Sequence, residues 1–177
     1  MATNTLIQYL ETERFSAFPG GASEGVPLDA SNRRQTEVYL AGGALNAGDV
    51  VALDFSTGGL TDGQRGIQVV QSDHGVATSK MVVGIVLGPA TPESDDGSGG
   101  VLTGGLAEVC VRGLCEANVL ANVAAGNLLY ITATAGSLDD AIAAAQPNAS
   151  GAPVAIASEA GPVAPGQMTV FVLGKAS

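Results

Sequence analysis

Residues 45–60 read L-N-A-G-D-V-V-A-L-D-F-S-T-G-G-L and residues 123–138 read V-A-A-G-N-L-L-Y-I-T-A-T-A-G-S-L, so the chain states one phrase twice. Setting Gly48 on Gly126 gives an offset of 126 − 48 = 78, and Ala47/Ala125, Asp49/Asn127, Val50/Leu128, Val51/Leu129, Leu53/Ile131, Gly58/Gly136 and Leu60/Leu138 then align. Each copy opens on a tight turn, Gly48-Asp49 or Gly126-Asn127. There glycine supplies a positive φ and the Asp or Asn side chain can bond its own backbone. A strand of residues suited to a pleated surface follows, then a second glycine-bearing turn. A duplicated turn-strand-turn predicts two like β halves, about 44–90 and 106–173, that share one body.

The rest of the chain supports an all-β reading, a small barrel or sandwich with at most one or two short helices. Alternating or β-branched segments fall at 36–41, 50–55, 67–71, 81–87, 106–112, 127–132, 153–157 and 167–173. At 177 residues there is material for one domain, burying roughly 70% of the unfolded surface. The 46% of hydrophobic residues are mostly Ala, Val and Leu beside 25 glycines, a mixture that suits closely approached sheets and many turns. One segment predicts a helix: S-L-D-D-A-I-A-A-A-Q-P at 137–147, with Ser137 as cap, acids in the first turn and a closing proline.

Residues 1–36 differ from the β body at 37–177. P-G-G at 19–21 and G-V-P at 25–27 interrupt regular structure, and Arg14, Arg33 and Arg34 supply three of the seven basic residues. Tyr9, Phe15 and Phe18 lie here although the whole chain has only three Tyr, four Phe and no Trp. Aromatics on a turn-rich arm need a surface to bury against. That makes Tyr9, Arg14, Phe15, Phe18, Arg33 and Arg34 the candidate partner-binding set, with burial on the chain's own body as the competing reading.

Seventeen acidic against seven basic residues give a net charge of −10, which opposes nucleic acid and anionic membranes as partners. No basic start with an apolar run marks a signal peptide, and no stretch reaches the length of a membrane span; the expectation is a soluble protein made inside a cell.

Residue types for catalysis are sparse. The single histidine, His74, sits in a turn-like S-D-H-G, and no G-x-S-x-G elbow or phosphate-binding loop is present. Asp95-Asp96 and Asp139-Asp140 read as solvated or helix-start charges rather than a cleft pair. E-S-D-D-G-S-G-G at 93–100 is oxygen-rich but lacks the alternating ligands and closing Glu of a calcium loop. Cys110 and Cys115, if on one extended strand, stand roughly 16 Å apart on opposite faces, too far to bridge; a bend at Gly113 would shorten that gap, and with or without it they read as two buried thiols. No catalytic residue, metal or cofactor is expected.

The succession A-G-D-V-V, V-V-G-I-V-L, E-V-C-V-R-G-L, A-A-G-N-L-L-Y-I, V-A-I-A and M-T-V-F-V-L resembles the head decoration (cement) proteins of tailed bacteriophages over residues 44–173. Asn127, where that pattern usually carries Asp, and the segment after Leu138 depart from it. The resemblance implies a small β-barrel body on the exterior of the virion head. It also implies bridging of major capsid protein subunits, a homo-oligomer with a trimer favoured over a dimer, synthesis in the host cytoplasm, and no enzymatic activity. The alternatives are a biotinyl- or lipoyl-like carrier domain, with Lys80 beside Met81 as its only modifiable site, and another oligomeric β-rich accessory of an enzyme.

Overall fold

In the computed structural model the described residues are 34–56, 64, 66–73, 81–140 and 153–174. Their regular structure is nearly all strand: β1 (Gln35–Ala41), β2 (Val50–Leu53), β3 (Gln68–Gln71), β4 (Val82–Pro89), β5 (Leu106–Val119), β6 (Leu128–Ile131), β7 (Leu138–Asp139), β8 (Ala155–Ala157) and β9 (Gly166–Val172). A single 3-10 turn, Pro92–Ser94, interrupts them. β1 begins two residues inside the segment the sequence assigned to the arm.

The pairings close into two five-stranded rings. In the first, β1 runs parallel to β3, β3 antiparallel to β2, β2 to β4, β4 to β5, and β5 returns antiparallel to β1. In the second, β5 runs parallel to β7, β7 antiparallel to β6, β6 to β8, β8 to β9, and β9 returns antiparallel to β5. The succession of parallel and antiparallel contacts is the same in both. β2 corresponds to β6 at the offset of 78, β3 to β7, β4 to β8, and the two halves of β5 to β9 and β1. The fourteen-residue β5 is therefore the last strand of one barrel and the first of the next.

Strand alternation assigns the cores. Val50 and Val51 are adjacent on β2 and point to opposite faces. Val51 joins Tyr39, Val69, Val86 and Val109 inside the first barrel, closed at one end by Leu45 and Val101. Val50 joins Ile85 and Cys110 on the first barrel's outer side, where they pack with Ala117, Val119, Leu129, Leu138 and Val170 of the second. Glycine permits the close approach that the composition suggested, for a Cβ on Gly84 would lie 2.1 Å from the Cys110 carbonyl oxygen across the β4–β5 pair.

One expectation is corrected. The helix does not start at Ser137: Leu138 is fully buried and pairs with both Ile131 and Val119, so burial in the barrel overrides local helix signals. The remainder, 141–147, lies outside the described residues. The two cysteines share β5, where burial alternates without a break through Gly113 at φ 105°, so Cys110 enters the cluster from the outer side of the first barrel and Cys115 from inside the second. Both thiols are buried in the same cluster and hydrogen-bond each other. That bond and burial push the Cys115 thiol up.

Candidate interaction surface and the joint behind it

The first repeated turn lies between the barrels. Gly48 takes φ 89°, which lets Asp49 turn inward and become buried. Its Oδ2 accepts from the Asn46 backbone N–H at 2.8 Å and from Gln71 Nε2 at 2.7 Å, and its Oδ1 accepts from Asn118 Nδ2 at 2.8 Å. Three neutral donors thus satisfy the buried Asp49 carboxyl group among the described residues. Asn118 belongs to the second barrel, and its backbone N–H also donates to the Gly48 carbonyl. Gln167 Nε2 of β9 donates to the Ala47 carbonyl at 2.7 Å, and Val50 N–H donates to the Gly136 carbonyl in the second copy of the phrase.

The second turn repeats the backbone and reverses the side chains. Gly48 N–H donates to the Val86 carbonyl and Val86 N–H to that of Asp49; Gly126 N–H donates to Ala157 and Ala157 N–H to Asn127. The Asn127 amide, however, donates to Asp140 Oδ2 at 2.7 Å, and the Ala124 N–H donates to the same oxygen at 3.2 Å. The acid sits in the turn in one copy and comes to the turn in the other, which accounts for the Asn at 127. Asp140 is thus no helix-dipole charge. The Asn127 hydrogen bond, with Ala124 behind it, holds its carboxyl below the usual value.

Of the candidate partner-binding residues, Tyr9, Arg14, Phe15, Phe18 and Arg33 lie outside the described residues, as do His74 and Lys80. Arg34 is exposed immediately before β1, whose Gln35 registers with Arg112 of β5. Arg34 and Arg112 are the only basic side chains among the described residues, and the strand pairing brings them to neighbouring positions in an otherwise acidic body.

The Asp95-Asp96 loop turns its oxygens on itself. Asp95 Oδ1 accepts from the Gly97 and Gly99 N–H groups, and Asp96 Oδ1 from the N–H groups of Ser98 and Gly100 and from the Ser98 hydroxyl. The Ser98 backbone bond chiefly lowers the Asp96 pKa. Among the described residues no group of three or more His, Cys, Asp or Glu side chains could hold a metal.

Sequence reasoning missed the exposed apolar side chains. Phe55, Ile67 and Met81, each about half exposed, gather at one end of the first barrel, where β2 ends and β3 and β4 begin. Leu128 and Val163 are also exposed, on the second half. The alternation of each strand was legible, but which face meets the other barrel was not.

No family model matches the chain, and no curated protein matches it. Among solved structures it is similar to the head fiber gp8.5 N base of bacteriophage phi29, at 11% identity and a TM-score of 0.48, over 82% of this chain and 99% of that one.

Proposed function

We propose that this chain is a structural, non-enzymatic protein of a tailed-phage head, binding the outside of the assembled shell and stabilising contacts between major capsid subunits. The observation that carries the reading is the placement of the motifs behind the decoration-protein resemblance. The A-G-D or A-G-N turn, the strand after it and the small-residue strand G-I-V or A-I-A take the same positions in both closed barrels. They are the framework of the body itself.

Physical properties of that body favour the same role. Among the described residues every strand has two partners, so none of them leaves an open edge for uncontrolled strand addition. An acidic exterior discourages adhesion to free nucleic acid. In this reading the arm is the principal adhesive: Tyr9, Phe15 and Phe18 bury against the shell, Arg14, Arg33 and Arg34 pair with its acids, and many weak copies act together on a lattice. The body is a homo-oligomer that needs no cofactor.

Co-sedimentation with empty phage heads from the chain's own source tests the proposal. Intact protein pellets with the heads, and protein lacking residues 1–33 keeps its β spectrum and stays in the supernatant. Equal binding by the truncated form overturns the arm assignment, and no binding by the intact chain overturns the capsid reading.

A further inference from the structure

Val50, Ile85 and Cys110 stand in register across β2, β4 and β5, and all three are fully buried although they lie on the outer side of the first barrel. The second barrel covers them. The duplication places Leu128, Ile156 and Phe171 in the same row of the second barrel, through the pairs Leu128↔Ile156 and Ile156↔Phe171. The register continues from Phe171 to Leu114 on β5. Neighbours along these strands, Leu129, Ala155, Val170 and Cys115, are buried within the barrel, so the row faces outward. Leu128 is 43% exposed, and the other three are partly exposed. Four large apolar side chains thus form a stripe about 15 Å long across four adjacent strands. The equivalent stripe in the first barrel is sealed, and this one stays partly exposed among the described residues.

We propose that this stripe is a self-association face, occupied by the same stripe of a second copy about a two-fold axis near Leu114. Charge complementarity selects that occupant. Exposed Arg112 and Glu116 bracket Leu114 on β5, so a two-fold axis that passes Leu114 along the stripe, across β5, sets Arg112 of each copy against Glu116 of the other. In a body this acidic, two copies repel unless the scarce arginines meet acids across the contact. Ring closure supplies the second argument. With both edges of every described strand paired, the described part of the body offers faces and loops for contact, and Val50–Ile85–Cys110 shows such a row packed against another barrel of this sequence.

The inference rests on the homo-oligomer part of the reading above and not on the capsid part. A two-fold contact yields a dimer, whereas the resemblance implies a trimer. The stripe is smaller than a standard interface, so we expect dissociation on the order of micromolar, tightened where a lattice holds copies close.

Sedimentation velocity on the full chain over a concentration series is the test. The unaltered protein moves from monomer to dimer as concentration rises. Leu114→Glu keeps its β spectrum and stays monomeric, and Arg112→Glu raises the dissociation constant about tenfold or more. Adding Glu116→Arg to Arg112→Glu restores the dimer, a rescue that misfolding cannot produce. An oligomer of any size that Leu114→Glu leaves intact overturns the face and spares the oligomer reading. A monomer at every concentration overturns both.

Discussion

Asn118 Nδ2 donates to Asp49 Oδ1 at 2.8 Å across 69 residues of sequence, and with that bond the first barrel is fastened to the second. The same Asn118 binds the Gly48 carbonyl through its backbone N–H, so one residue of β5 holds both groups of the repeated turn.

Asp49→Asn is expected to cost about 1–3 kcal/mol, because an amide presents one acceptor oxygen to a site built from three donors and points its own N–H groups at the rest. Urea titration measures it. A double-mutant cycle with Asn118→Ala should return a coupling of about 0.5–3 kcal/mol. Additive effects would refute the joint.

Gly84→Ala should be more damaging than its size suggests, since the new methyl meets a backbone carbonyl at 2.1 Å and no flexible side chain can yield. We expect a loss of about 1–3 kcal/mol. Gly126→Ala is the control: nothing lies within 4 Å, so only the positive φ of 82° is penalised, at about 1–2 kcal/mol. Thermal melts of the pair compare crowding with backbone strain.

Acidification should lower the melting temperature through the carboxylates that hydrogen bonds hold below their usual range. For Asp140 the unfolded value is 3.8 and the folded one lower, so its contribution is fully present above 3.8 and disappears as pH falls through the folded value. The group is largely exposed, so the effect is small and screened. Asp140→Asn should flatten the acid limb of a plot of melting temperature against pH; an unchanged slope would show that the Asn127 bond is not formed in solution.

Both thiols should resist a maleimide reagent in the folded protein and react at two equivalents once guanidinium unfolds it, because both are buried out of the reagent's reach. Mass spectrometry counts the adducts. Rapid labelling of native Cys115 would contradict its place in the core.

The pattern of short strands and turns was open to inspection in the chain. Val50–Leu53 and Leu128–Ile131 fall at the spacing the repeated phrase fixed, and Gly48 and Gly126 both take the positive φ their turns require. β5 was read too short. The expected strand ended at Arg112, but Leu114, Cys115, Glu116, Ala117, Asn118 and Val119 continue the alternation and Gly113 is a bend inside one strand. The alanine-rich run after Ser137 carried a helix signal, yet Leu138 was claimed by two partner strands.

Local sequence determined the repeated turn-strand units, because their conformations depend on backbone preferences and on side chains within a few residues of each other. The tertiary structure alone decided that both rings close, that β5 serves both, and that among the described residues the outer row Val50–Ile85–Cys110 is fully buried while Leu128–Ile156–Phe171 stays partly exposed. Those outcomes depend on contacts between residues tens of positions apart, whose free energy is set by which barrel face meets which, and no pattern along a single strand encodes that choice.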